Sequence, residues 1–307
     1  MTLDVDRLLS RRLDVPPCEG PRLGAFKPFD NKIEFIRLLS SHPNDPTLED
    51  NGAIHSYVFE VCICKEIYAL KIFRFYYAEE ERYEISAPLR RNLSNETLAF
   101  HSDPFFAECR AYGRINQYYE ASSNRNRRKP RGKRLKPCDA NKRPIAVPCY
   151  GYIILTAEHE EVLRDKFSIT DWDRSEHEES GQIPKRPLRA LVKQLVASDV
   201  SVVNPHRMLG DLKRLRKLRI FQRDIYARNY KDGLLVDFSV AWTDPHWCLT
   251  TLGPNQLRSE KYTDLRMFDK MIERAGIKTI VRATPHSEYC QKLRSRDVEE
   301  SSDTSDH

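Results

Sequence analysis

The chain has no run of 18 apolar residues, so it offers no membrane-spanning helix of ordinary length. Its first residues, Met1 to Leu13, mix Asp, Arg and Leu and lack the apolar stretch of a secretory leader, which predicts an intracellular protein. Cysteine supplies no metal set. Of eight residues only Cys62 and Cys64 lie close together, and a C-x-C on a strand turns both thiols to one face without completing a ligand group. Reduced, mostly buried cysteines are the expectation. What is present is apolar material: 40% hydrophobic residues in 307 can fill the core of a two-lobed globular unit and exclude a disordered chain.

The most informative segment is Gln222-Arg223-Asp224-Ile225-Tyr226-Ala227-Arg228-Asn229, followed by Leu234-Leu235-Val236-Asp237-Phe238-Ser239. An Asp with an Asn five positions on, then an Asp closing an apolar triplet, is the spacing with which phosphate transfer holds a hydroxyl and metal ions. Asp232-Gly233 predicts a tight hairpin that folds Asn229 back toward Asp237. Two oxygen donors would then face one place, as a hard divalent cation on phosphate requires. The spacing resembles the HRDxxxxN and DFG segments of the protein kinase superfamily.

The upstream half of that pattern is present. Tyr68-Ala69-Leu70-Lys71-Ile72-Phe73 matches the VAIK strand, and period-2 alternation puts Ile67, Ala69, Lys71, Phe73 and Phe75 on one face. After Ser102-Asp103 a helix is predicted from Pro104 to Tyr119, with Phe105, Glu108, Tyr112, Ile115 and Tyr119 on one stripe. An unpaired buried carboxylate would cost several kcal/mol by order of magnitude, so Lys71 is expected to pair with Glu108. The kinase resemblance implies the same pair.

Residues 1–26 read as a flexible lead-in with Pro16, Pro17, Gly20, Pro21 and Gly24. A small, β-rich lobe is expected over 27–157, with insertions at 78–103 and 122–143; an abbreviated helical lobe over 158–275; and a tail over 276–307. The second insertion carries ten cations between 125 and 143 against one acid, Asp139, and with Pro130, Gly132 and Pro137 it is predicted to be a surface loop. Its Arg127, Arg128, Lys129, Arg131, Lys133 and Arg134 suit nuclear import or DNA phosphates. Ile145 to Leu155 is expected to be the strand leading to the hinge. Pro187 to Ala197 and Pro205 to Arg219 read as amphipathic helices, the cations of the second forming a solvated face or, alternatively, a polyanion contact, and Asp264 to Ala275 as a last helix.

Two departures from the kinase pattern matter. The positions of the phosphate-loop glycines hold Asn51, Ala53 and Ser56 with only Gly52 nearby, so close backbone approach to phosphate is impaired. After Ser239 there is no Ala-Pro-Glu, and the 68 residues that follow are too few for a full peptide-binding subdomain. The phrases Glu-Cys-Arg-Ala-Tyr-Gly-Arg-Ile at 108–115 and Pro-Cys-Tyr-Gly-Tyr at 148–152, with the motifs above, resemble the fungal kinetochore-subunit family of the Fta type.

These resemblances imply an α+β protein kinase-like fold in which Lys71 contacts phosphate, Glu108 partners it, Asp224 positions a hydroxyl, and Asn229 and Asp237 hold Mg²⁺ on ATP. Gly52, Ala53 and Ser56 would border the nucleotide. Gln222 in place of the usual His is expected to weaken the support of the loop, and Ser239 in place of Gly to restrict the backbone after Asp237. A nuclear pseudokinase serving as a binding module in a multisubunit assembly is the expectation, with weak or no nucleotide binding. An active MgATP-dependent phosphotransferase is the alternative.

Overall fold

The structure, a computed structural model, describes residues 23–27, 32–40, 55–85, 87–91, 93–127, 143–198 and 200–284. Strands β1 (Glu34–Leu38), β2 (Ser56–Ile63) and β3 (Glu66–Phe73) open the chain. In β2 every second residue is buried, Tyr57, Phe59, Val61 and Ile63 each at 0% exposure, as strict alternation on a half-buried strand dictates. Cys64 and Lys65, at φ 52° and 68°, make the two-residue turn into β3. Cys64 is therefore exposed. Of the described cysteines only Cys109 and Cys149 are buried, which corrects the expectation of mostly buried thiols.

The first predicted insertion forms three short helices, α1 (Ala78–Glu84), α2 (Ala87–Arg90) and α3 (Asn95–Ser102). Ser94 caps α3 by accepting from the Thr97 amide. Next comes α4 (Pro104–Arg127), eight residues longer than the apolar stripe predicted. The expectation of non-helical chain from Ser122 fails because no Pro or Gly occurs before Pro130. The remainder of the basic run, 128–142, lies outside the described residues.

Strand β4 (Cys149–Ile154), helices α5 (Ala157–Phe167) and α6 (Glu176–Glu179), and strand β5 (Arg189–Gln194) follow. The five strands pair antiparallel in the order β1-β2-β3-β5-β4. The predicted helix over Pro187–Ala197 is thus β5, and β5, rather than the stretch ending at Leu155, leads toward the second half. All of Arg189 to Lys193 is buried, and a strand covered on both faces shows no alternation. One face carries α4, where Phe73 meets Phe105 at 5.5 Å. The other carries α5, with Phe59 against Phe167 at 5.1 Å and Tyr57 against the buried Trp172 at 5.3 Å. Residues 157–194 belong to the sheet half by packing, which moves the boundary expected at 157 beyond Gln194.

The second half contains α7 (Pro205–Lys217), β6 (Ile220–Phe221), β7 (Tyr230–Lys231), β8 (Leu234–Leu235), β9 (Trp242–Thr243), α8 (Trp247–Thr251), α9 (Pro254–Lys261) and α10 (Thr263–Arg274). Asn204 caps α7 and Pro205 starts it, a donor-free residue where no donor is needed. Met208, Leu209, Leu212 and Leu215 of α7 share a core with Leu265, Phe268, Met271 and Ile272 of α10 and with Phe105, Phe106 and Tyr112 of α4. The architecture is an α+β, two-lobed, protein kinase-like fold. Among the described residues no helix is long and apolar enough to cross a membrane.

Candidate functional site: a cleft with two buried lysines

Lys71 leaves β3 into the cleft, where its Nζ lies 2.9 Å from Glu108 Oε2 on α4 and 2.8 Å from Asp237 Oδ1. Glu108 is fully buried. Its other oxygen, Oε1, accepts from Nζ of Lys193 on β5, and the same ammonium donates to the Val236 carbonyl at 2.9 Å. Two lysines therefore bracket one carboxylate, and with Asp237 the four groups balance in charge. Burial alone would lower the Lys71 pKa, but the Asp237 and Glu108 carboxylates outweigh it and hold it above its ordinary value. Burial works against the Asp237 carboxylate too; Lys71 and then Lys193 hold it far below the usual range.

The floor of the cleft forms as the sequence spacing predicts. Asp232 and Gly233, at φ 49° and 69°, turn β7 into β8, and the Val236 amide donates to the Asn229 carbonyl at 2.9 Å. Asn229 Nδ2 donates to Asp224 at its carbonyl (3.0 Å) and at Oδ2 (2.7 Å), so loop and hairpin end are one unit. The Ser239 amide donates to Asp237 Oδ1 at 2.8 Å, and the ring of the buried Phe238 stands 5.1 Å from Tyr112 of α4. Gln222 overturns an expectation. Its Nε2 donates to the Asp237 carbonyl and its Oε1 accepts from the Arg223 amide at 3.0 Å, so it supports the loop that the missing His would have supported.

Beyond Ser239 the backbone is pinned. It pairs as β9 with β6, and Arg110 Nη2 of α4 donates to the carbonyls of Thr243, at 2.6 Å, and Pro245. Arg114 donates to the carbonyls of Leu218, at 3.1 Å, and Asp244. Arg223, next to Asp224, is neutralised internally: it pairs with Glu260 at 2.5 Å and stacks 4.0 Å over Trp242.

The structure brings Lys71, Glu108, Asp224, Asn229 and Asp237 to one cleft. Ser56 is the first residue of β2, while Gly52 and Ala53 lie outside the described residues, as do Arg128, Lys129, Arg131, Lys133 and Arg134. Arg127 is the last residue of α4. Sequence reasoning missed Lys193, hidden by the helix assignment, and His55. The latter stands just before β2 at the cleft mouth; burial, then the Lys71 ammonium, lower its pKa, while Asp237 and Asp224 pull the other way. Its place directly ahead of a strongly alternating strand was the available signal.

Asn229 and Asp237 offer oxygen donors from adjoining ends of one hairpin, and the Asp237 side chain is 28% exposed. That chemistry fits Mg²⁺ completed by a ligand's phosphates and water. Among the described residues no group of three or more His, Cys, Asp or Glu could hold a metal by itself.

Among curated protein sequences none matches this chain. A solved structure of vaccinia related kinase 3 is similar at a TM-score of 0.38 and 11% identity, covering 96% of this chain and 79% of that one. The family model described as kinetochore Sim4 complex subunit FTA2 matches residues 12–123 and 134–242, a span that holds every cleft residue named above. With that match the chain belongs to the FTA2 family of kinetochore Sim4 complex subunits.

Proposed function

We propose that this protein is a nuclear assembly subunit whose kinase-like cleft serves as a structural and weakly Mg²⁺-nucleotide-binding element, without phosphate transfer to peptides. One observation carries the reading. The segment after Asp237, which would have to lie open to position a peptide hydroxyl near Asp224, runs straight into β9, with three successive carbonyls, from Thr243 to Pro245, held by Arg110 and Arg114. Protein partners follow from membership of a multisubunit family. The basic run at 125–143 is proposed to serve nuclear import or DNA contact, since its density of cations suits both.

If nucleotide binds, Lys71 contacts its phosphates while Asn229 and Asp237 hold Mg²⁺, which neutralises phosphate charge. The hydrogen bond between Asn229 and Asp224 favours a second reading, an active phosphotransferase for a small acceptor, because it orients both side chains as transfer needs. Radiolabelled ATP separates the two. The module reading expects Mg²⁺-dependent binding that Asp237→Ala abolishes and Asp224→Ala spares, with no labelling of the protein or of generic peptides. Robust labelling lost in Asp224→Ala would overturn it.

A further inference from the structure

Lys193 is a buried ammonium on β5, the strand paired between β3 and β4, a place where an apolar side chain would fill the volume without desolvation. It meets three elements at once. It belongs to β5, its Nζ donates to Glu108 Oε1 of α4 and to the carbonyl of Val236, and the ammonium sits 5.2 Å over the ring of Tyr112, which in turn packs on Phe238. Lys71, by contrast, bonds to the side-chain carboxylates of Glu108 and Asp237 and lies 5.1 Å over the ring of Phe73 on its own strand, with no bond from its ammonium to backbone among the described residues. In register Lys71 faces Leu191 and Ala69 faces Lys193, so the two lysines enter the cleft from adjacent strands.

We propose that Lys193, and not Lys71, is the positioning lysine of this cleft: it holds α4 and the backbone ahead of Asp237 in place, which leaves Lys71 available to a phosphate-bearing ligand. The last clause rests on the nucleotide-binding reading above; the first does not. Charge makes the division work. If a phosphate draws Lys71 away, Glu108 keeps a cation at hydrogen-bond distance and is not left as an uncompensated buried charge. Arg110 and Arg114 fix the same helix to the second half from its other side, so Lys193 completes a set of ties that do not involve Lys71.

The test compares Lys193→Met, Lys193→Arg and Lys71→Met in the full chain, by amide hydrogen exchange along α4 without ligand and, separately, by binding of MgATP. Lys193→Met is expected to speed exchange at Tyr112 and Ile115 at least tenfold and to lower the melting temperature more than Lys71→Met does. Lys193→Arg, which keeps a charge long enough to reach Glu108, is expected to restore protection. Lys71→Met is expected to weaken MgATP binding at least tenfold while leaving α4 protected. Failure of Lys193→Met to fold beside folded Lys71→Met and Lys193→Arg supports the same order. Equal or faster α4 exchange in Lys71→Met, or no rescue by Lys193→Arg, overturns the proposal. Undetectable MgATP binding in the wild type overturns only the nucleotide reading, because the exchange measurements contain no ligand.

Discussion

Replacing Glu108 with Ala removes the one carboxylate shared by both cleft lysines. After the change Lys71 retains Asp237 at 2.8 Å, whereas Lys193 retains only uncharged partners, the Val236 carbonyl and the Tyr112 ring. Breaking a buried ion pair by deleting one partner costs about 3–5 kcal/mol, because the other charge stays behind without compensation. Here two ammoniums are left in a site where Glu108 was fully buried, and truncation to Ala also leaves a void, so the upper end, about 5 kcal/mol, is expected. Set against a total stability of roughly 5–15 kcal/mol, that is a third or more of the whole. Scaled to a chain of this size it corresponds to a fall of roughly 8 °C in melting temperature. Urea titration followed by tryptophan fluorescence measures it directly, since Trp172 is buried beneath the sheet. Glu108→Gln, which keeps the shape and one acceptor oxygen, should lose less. A Glu108→Ala protein within about 1 kcal/mol of wild type would refute the reasoning, because it would mean that water reaches both ammoniums.

Three further outcomes are expected. Gly151, at φ +150°, is where a Cβ would fall 2.6 Å from the Phe26 amide nitrogen and 2.8 Å from the Gly24 carbonyl oxygen, both backbone atoms; Gly151→Ala should cost about 1–3 kcal/mol and speed exchange of the Phe26 amide bonded to Tyr152. His101 is held neutral by burial and by Arg110, its pKa lowered to about 3, so its contribution is present above the unfolded value of 6.5 and lost as pH falls toward 3. Lowering pH from 8 to 5 should remove about 2 kcal/mol that His101→Gln does not lose; the difference between the two proteins is the quantity to measure, since Asp264, raised to about 6 chiefly by burial, titrates with the opposite sign over the same range. An identical pH dependence in both proteins would dismiss the His101 account. Replacing Arg127, Arg128, Arg131, Lys133 and Arg134 with Ala should reduce nuclear accumulation of a tagged chain and flatten any salt dependence of DNA binding; unchanged distribution and absent or salt-independent binding would leave the run without either role.

Three elements legible in the sequence, β2, α7 and α10, share one property: each has a single buried face, and the β2 alternation and the α7 and α10 stripes follow from that. α4 is buried all round from Pro104 to Gly113, and there the signal was Glu108 as the lone charge in the apolar stripe. β5 has two buried faces. Leu188, Leu191, Val192, Leu195 and Val196 fit the helical spacing as well as a central strand, and periodicity alone does not separate the two. The error carried a chemical consequence, since on a helix Lys193 falls on the polar side and Arg189 loses its buried pairing with Asp103, at 2.7 Å. α5 was illegible for another reason: its acidic composition hides that Leu163 and Phe167 reach the outer face of the sheet.

The buried quartet of Lys71, Lys193, Glu108 and Asp237 bears on function through what it does not provide. Charges taken out of water gain little net stability over apolar residues of similar volume, even when well paired. A cleft kept only as scaffold would be served as well by apolar residues at all four positions, the two carboxylates included. The quartet is therefore weak support for stability and stronger support for positioning: it fixes Asp237 at 28% exposure, open to a cation, while the lysines around it stay below 7%. Melting curves report on the pairing and cannot separate the scaffold reading from the nucleotide reading. Mg²⁺-dependent binding lost in Asp237→Ala but retained in Asp224→Ala can, because only a phosphate ligand gives those two carboxylates different parts.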